Sequence, residues 1–205
     1  HHRDHRRHAQ QRTLAHAEGC GVLYIDPGAT AVFSSVVVSN NSAPVGDAGA
    51  IDNRGTLTIN NSTFSGNSAP AVNSSGGVID NQGVVTITNS TFTGNSASKG
   101  GAVHHRGNGG GQLSITNSTF SGNSAGAGGG IYNDGGTLSV SNNTFSSNSA
   151  NAGGAIVNFD GQVTVSNSTF AGNGANAGGG ISNSFGTLTL WNTIIANSPT
   201  GNNCS

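Results

Sequence analysis

One short motif recurs along the chain at nearly constant spacing. The string Asn-Ser-Thr-Phe, or once Asn-Asn-Thr-Phe, ends at five phenylalanines, and we assign Val38 and Ile194 to the equivalent positions before and after them. Those phenylalanines are Phe64, Phe92, Phe120, Phe145 and Phe170. The successive spacings are 26, 28, 28, 25, 25 and 24 residues. A fixed period in this range is typical of a solenoid, in which each repeat stacks on its neighbours to bury a continuous core.

Each repeat contains two apolar stretches with strand character. The first alternates Leu, Ile or Val with Thr or Ser, so Leu57 and Ile59 are predicted to point inward and Thr56 and Thr58 outward. The second is shorter and follows a glycine cluster, as at Ala50-Ile51. No segment shows helical periodicity. Short strands without helices in a repeat of about 25 residues predict an all-β parallel β-helix.

Two asparagine columns recur in register with the phenylalanines. In stacked coils each amide can bond the ones above and below it, so we expect both columns to form ladders at buried corners. The Asn-x-Ser/Thr strings also match N-glycosylation acceptors, but their regular register favours the ladders. The columns are Asn61, Asn89, Asn117, Asn142 and Asn167, and Asn67, Asn95, Asn123, Asn148 and Asn173.

The first nineteen residues do not share the repeat. They hold five of the seven His and four of the seven Lys and Arg residues, and they lack the apolar stretch of a secretion signal. We predict a disordered arm over residues 1–19 and one β-helix domain over residues 20–205. Cys20 and Cys204 bracket the repeats, and about seven coils between them would keep them too far apart for a disulfide.

The overall charge excludes two classes of partner. Charged residues make up 7% of the chain, the net charge is −1 and the isoelectric point is about 6.7. Nucleic-acid binders and anionic-membrane binders depend on a basic surface, so neither partner is expected. No apolar run approaches the roughly 20 residues of a membrane-spanning helix.

Most of the charge outside the arm gathers at one part of the repeat. Of the ten Asp, Lys, Arg and His residues beyond residue 30, seven lie within or just after the short glycine-led strands. Stacked coils would place Asp52, Asp80 and His104 side by side at steps of about 4.8 Å. The neighbouring polar positions are Arg54, His105, Arg106, Tyr132 and Asp134.

This group has two interpretations. Paired carboxylates at that range can supply an acid and a base, so Asp52, Asp80, His104 and Arg106 are the candidate catalytic residues of a polysaccharide lyase or glycosidase. Arg54, His105, Tyr132 and Asp134 are then the candidate binding residues. No cofactor is predicted, with Ca²⁺ held by two Asp and a His as the alternative. In the other interpretation, charge is tolerated at a strand end and Asp–Arg neighbours neutralise each other.

A separate candidate surface, with a third possible function, is made of hydroxyl groups. The outward columns that contain Thr58 and Thr86 resemble the flat ice-binding faces of antifreeze β-solenoids. Those faces favour Thr strictly, whereas here Ser interrupts the columns and Trp191 ends one of them. The alternative is an ordinary soluble sheet face.

Two of the motifs resemble a known family. Phe-x-x-Asn occurs at 64–67, 92–95, 120–123, 145–148 and 170–173, and Gly-Gly-Ala-Ile/Val at 100–103 and 153–156. The pair is similar to the repeats of polymorphic outer-membrane proteins, whose right-handed β-helices are displayed on bacterial surfaces for adhesion. The resemblance covers residues 35 to 204. It implies a right-handed single-stranded parallel β-helix of about seven coils of 24–28 residues.

The resemblance also implies a role and a location. We expect a secreted or surface-displayed protein, extracellular or at the outer membrane, with an adhesive or structural role. Its polar ladders would be presented to glycans or surface proteins. A bare terminal coil exposes unpaired backbone groups, so self-association through coil ends is a further expectation.

Overall fold

The structure of the chain, a computed structural model, describes residues 21–107 and 110–204. Every regular element in these ranges is a β-strand, and the strands wind into a parallel β-helix of about seven coils. The predicted fold class is therefore confirmed. The predicted arm at residues 1–19 lies outside the described residues, as does Cys20, while Cys204 is a free, exposed thiol.

Three parallel sheets have seven strands each and a fourth has three. Sheet I consists of β1 (Leu23–Ile25), β4 (Ile51–Asn53), β8 (Ile79–Asn81), β12 (Val103–Arg106), β16 (Ile131–Asp134), β19 (Ile156–Phe159) and β22 (Ile181–Ser184). Sheet II consists of β2 (Thr30–Ser34), β5 (Thr56–Asn60), β9 (Val84–Thr88), β13 (Gln112–Thr116), β17 (Thr137–Ser141), β20 (Gln162–Ser166) and β23 (Thr187–Trp191). Sheet III consists of β3 (Val37–Ser39), β6 (Thr63–Ser65), β10 (Thr91–Thr93), β14 (Thr119–Ser121), β18 (Thr144–Ser146), β21 (Thr169–Ala171) and β24 (Ile194–Ala196). Sheet IV consists of β7 (Ser68–Ala69), β11 (Ser96–Lys99) and β15 (Ser124–Ala127).

Each coil runs from sheet I to sheet II, then to sheet III, and returns to sheet I through a glycine-rich corner beside sheet IV. The sheet II strands show the predicted alternation, since Leu57 and Ile59 are fully buried while Thr56 is exposed and Thr58 half-buried. Every strand of sheet II pairs with the next coil in register. The repeat length therefore sets which side chains become neighbours.

The repeated phenylalanines form one stack inside the helix. Phe64, Phe92, Phe120, Phe145 and Phe170 are fully buried at the centres of sheet III strands. Val38 precedes them in the column as predicted, but Ile195, and not Ile194, follows Phe170. Successive ring centroids are 4.7 to 4.9 Å apart with interplanar angles of 1° to 12°. Burying one such side chain contributes about 1.5–3 kcal/mol. The near-parallel rings keep the coils evenly spaced and the columns straight.

The two asparagine columns have different roles. Asn67, Asn95, Asn123, Asn148 and Asn173 are buried, and each Nδ2 that faces a following coil donates to the next Oδ1 at 2.9–3.0 Å, which confirms the ladder. Asn61 and its equivalents are instead exposed, with φ between 48° and 57°. The expectation of a second buried ladder is therefore wrong, because asparagine serves there as the left-handed corner between sheets II and III.

Candidate functional site

The predicted charged positions lie on consecutive strands of sheet I. The register pairs Tyr24 with Asp52, Asp52 with Asp80, Asp80 with His104, and His104 with Tyr132. These side chains point away from the core because they alternate with inward residues such as Ile51 and Asn53. We call Asp52, Asp80 and His104 the acid–histidine column. Its predicted adjacency follows directly from the repeat.

The acid–histidine column is covered, although it was expected on an external face. Asp52, Asp80 and His104 are 4%, 0% and 2% exposed. The glycine corner of each coil lies against the following strand, and a Cβ added at Gly76 would lie 2.0 Å from the Ile79 carbonyl oxygen. Only glycine permits that approach at its φ of +72°. The expectation of an open acid–base surface is corrected accordingly.

Asp80 is the centre of the network. Its Oδ1 lies 3.0 Å from His104 Nδ1 and accepts a hydrogen bond from Arg106 Nε, also at 3.0 Å. The Arg106 guanidinium then extends across the corner, where it donates to Ser75 Oγ at 3.1 Å and lies 3.8 Å from Asp47. Arg106 therefore both neutralises Asp80 and covers it.

Asp52 has a weaker partner. Arg54 lies 3.5 Å from Asp52 Oδ2, is 44% exposed, and stacks over the Tyr24 ring at 5.2 Å. Burial, and secondarily the neighbouring Asp80, raises the pKa of Asp52 to about 6, and Arg54 offsets only part of that shift. Asp52 is thus a carboxyl group that holds its proton under mildly acidic conditions.

The other end of the column meets an acid and an aromatic ring. His104 Nε2 lies 3.6 Å from Asp134 Oδ2, and this polar contact is the main cause that lowers the pKa of Asp134. Tyr132 meets the His104 ring edge-on at 5.4 Å, and Lys99 lies 5.1 Å from the Tyr132 ring centroid. Burial raises the pKa of Tyr132.

His105 points the other way. It is fully buried and replaces one asparagine in an internal column of sheet I, between Asn81 and Asn133. Its Nδ1 lies 3.0 Å from Asn81 Nδ2 and therefore accepts, so Nε2 carries the hydrogen and donates to the Thr137 carbonyl at 3.2 Å. This position corrects the expectation that His105 joins a ligand-binding surface.

We expect His105→Asn to stabilise the protein, most strongly at low pH. Burial lowers the pKa of His105 to about 4, so the wild type loses about 3 kcal/mol of stability as pH falls from about 6.5 to 4. Asparagine cannot titrate and can supply the donor that the buried Asn133 Oδ1 lacks. Chemical denaturation of both proteins at pH 4 and pH 7 measures this. An equal stability difference at the two pH values would contradict it.

Sequence reasoning missed four members of the network, namely Tyr24, Asp47, Ser75 and Lys99. Asp47 and Lys99 each come just before a glycine corner, next to Ala48-Gly49 and Gly100-Gly101. That position in the sequence could have indicated membership of the network, because a residue just before the glycine corner lies beside the sheet I strand that follows the corner. With these two, nine of the ten Asp, Lys, Arg and His residues beyond residue 30 lie in or beside the network; Asp160 is the tenth.

The site holds no metal cage in the part of the chain that the structure describes. Within residues 21–107 and 110–204, no group of three or more His, Cys, Asp or Glu side chains is arranged to hold a metal ion. A groove of about 360 Å³ lies beside sheet IV, lined by residues 69–72 and 96–98. None of those residues is one of the predicted site residues.

The hydroxyl columns lie on sheets II and III. Thr58 and Thr86 are register partners on sheet II, where Thr86 is exposed. The unbroken threonine column is on sheet III, at Thr63, Thr91, Thr119, Thr144 and Thr169. In each of five coils, the 13 residues that span sheets II and III and their corners contain no ionisable side chain, at 56–68, 84–96, 112–124, 137–149 and 162–174. In these coils the charged residues therefore lie on sheet I and at the corners that lead into and out of it.

Comparison with known proteins assigns the family. A family model described as a right handed beta helix region matches residues 20–204. The chain belongs to the right-handed β-helix family. No curated protein and no solved structure matches this β-helix protein. Among the described residues of the β-helix, no helix has the length and apolar character needed to cross a membrane.

Proposed function

We propose that this β-helix is a secreted or surface-displayed protein with an adhesive or structural role, which presents flat polar faces to glycans or surface proteins. The observation that carries the proposal is the straight, charge-free array on sheets II and III over five coils. A repeating face of hydroxyl and amide groups suits many weak contacts with an extended partner. Its resemblance to bacterial surface repeats supports the same role and location.

The acid–histidine column favours a second candidate, an enzyme that acts on acidic polysaccharides. The specific observation is the contact of Asp80 with His104 at 3.0 Å beside Asp52, whose pKa is raised to about 6. Such a pair can supply an acid and a base. Against this candidate, both carboxyl groups and the His104 ring are covered. One oxygen of each carboxyl group already contacts an arginine, and His104 Nε2 lies beside Asp134. We therefore place the adhesive role first.

We expect two added charges on the outer face of sheet II to abolish the binding of neutral glycans without affecting the fold. The double variant Ser114→Lys and Ser139→Lys places two adjacent cations on sheet II. The control, Asn151→Lys with Asn176→Lys, adds the same charge at two exposed corner positions. Binding is measured on an array of neutral and acidic glycans, with circular dichroism to confirm the β-sheet. Equal binding by both double variants would overturn the assignment to this face.

The enzyme candidate is tested separately. Incubation with acidic polysaccharides, with and without Ca²⁺, should produce no new unsaturated or reducing ends. Turnover by the wild type that disappears in Asp80→Ala would replace the adhesive role with catalysis. Thermal hysteresis in a freezing solution, lost in the sheet II double variant, would instead identify ice as the surface that is bound.

A further inference from the structure

Two buried carboxyl groups lie next to each other with one free oxygen each. Asp52 and Asp80 are register partners on β4 and β8, and both are more than nine-tenths buried. Arg54 contacts Asp52 Oδ2, and Arg106 contacts Asp80 Oδ1. The second oxygens, Asp52 Oδ1 and Asp80 Oδ2, are buried without a hydrogen-bond partner. Neighbouring strands are about 4.8 Å apart, so the two carboxyl groups are direct neighbours on the outer side of sheet I.

One proton would satisfy both oxygens. Two ionised carboxylates at this separation repel, and each would keep an unpaired, desolvated oxygen. A protonated carboxyl group can donate to a carboxylate, which removes one charge and fills both vacant positions. The proton belongs on Asp52, because Asp80 already accepts from Arg106 Nε and lies beside His104 Nδ1, whereas Asp52 has only the longer contact with Arg54.

We propose that Asp52 and Asp80 form a proton-binding site, in which Asp52 Oδ1–H donates to Asp80 Oδ2 and the proton closes the outer face of sheet I. The raised pKa of Asp52 agrees with this geometry. This device goes beyond the proposed adhesive role and does not depend on it. Loss of the proton to solvent leaves two adjacent anions beneath the corner.

The charged and titratable groups around Asp52 and Asp80 determine which part of the fold loosens when the proton is lost. Tyr24 faces Asp52 from β1, Arg54 follows directly after the end of β4, and Asp47 lies on the corner before it. On the other side, His104 and Arg106 face Asp80 from β12. Asp134 acts through His104. Arg54 is partly exposed and makes a longer contact with Asp52 than Arg106 makes with Asp80. The new charge on Asp52 is therefore the less well balanced of the two, and its appearance should loosen β1, β4 and their corners first.

The decisive experiment is a titration of the aspartate side-chain carbons by NMR in the full chain. We expect one aspartate to titrate at least one pH unit above the others, and its signal to disappear in Asp52→Asn. In Asp80→Asn the same midpoint should fall by at least one pH unit, while Asp160→Asn, at an exposed position, should leave it unchanged. Titration of all aspartates in the ordinary range would overturn the proposal. The wild-type titration alone is decisive for that outcome, even where a variant does not fold.

Hydrogen exchange tests the opening. After correction for intrinsic rates, amides of residues 23–25 and 51–53 should lose protection in the wild type between pH 5 and pH 7.5. Asp52→Asn, whose Nδ2 donates at every pH, should retain it. Restoration of wild-type protection by Ca²⁺ or Na⁺ at pH 7.5, with matching shifts of the two carboxyl signals, would show that the site takes a cation and would overturn the proton site.

Discussion

Replacing Phe120 with alanine should lower the free energy of unfolding by about 3–5 kcal/mol. Phe120 is fully buried and stacks on Phe92 at 4.7 Å and on Phe145 at 4.9 Å. The substitution removes both ring contacts and leaves a cavity between adjacent coils. Because a solenoid repeat contacts only its neighbours, the coils before the cavity and the coils after it should also unfold less cooperatively with each other.

Urea denaturation with two probes measures both effects of Phe120→Ala. Trp191, the single tryptophan, lies on β23 in the last complete coil and reports local unfolding, while circular dichroism reports all coils. In the wild type the two transitions should coincide, and in the variant they should separate. Phe185→Ala is the matched control, because Phe185 is 86% exposed, and it should change stability by less than about 0.5 kcal/mol. Equal losses in the two variants would contradict the role of the stack.

Replacing Asn123 with aspartate should cost at least about 3 kcal/mol at pH 7. The Asn123 amide donates to the Phe92 carbonyl at 3.0 Å and to Asn148 Oδ1 at 2.9 Å, and its own oxygen accepts from Asn95. A carboxylate has the same shape but donates nothing, so two buried acceptors would face a buried negative charge. Because the two side chains have the same shape, this substitution tests the donor–acceptor direction of the ladder's hydrogen bonds separately from the packing of its side chains.

The pH dependence provides a further check on Asn123→Asp. Burial without a cation should raise the pKa of the new carboxyl group, and the protonated form recovers one donor. The destabilisation relative to wild type should therefore shrink as pH falls through the raised pKa. Thermal or urea denaturation at pH 4 and pH 7 measures it, with Asn176→Asp at an exposed corner as the control. A penalty that stays constant with pH would show that ionisation of the new carboxyl group does not cause the destabilisation.

The sheets could be read from the sequence because their pattern is periodic. The alternation around Leu57 and Ile59, and the recurrence of Phe64 at Phe92 and Phe120, both depend only on strand geometry and repeat length. The same reasoning correctly placed Asp52 beside Asp80 and His104. It did not assign a strand to the phenylalanines themselves, since only two corner residues separate each sheet III strand from the sheet II strand before it.

The burial of the acid–histidine column could not be predicted from the repeat pattern. The residues that cover Asp80, namely Arg106, Ser75 and Asp47, come from three different coils. Asp47 and Ser75 share one position of the repeat, just before the glycine corner, but they differ in residue type, and Arg106 reaches them from another strand. Their meeting depends on the path of the glycine corners. A change in the sign of φ at a single glycine changes the direction in which the chain leaves the corner. The periodic pattern of residue types does not specify whether the corner then passes over Asp80.

The sequence by itself determined that this chain is a β-helix, which residues stack into columns, and that most of the charge beyond the first nineteen residues gathers at one part of the repeat. Those properties follow from spacing and from the alternation of side chains along a strand. The tertiary structure alone decided that Asn67 is a buried ladder while Asn61 is an exposed corner, and that the acid–histidine column is sealed. The physical reason is that corner geometry sets whether a side chain points toward the core or toward solvent, and identical residue types at identical spacing can adopt either direction.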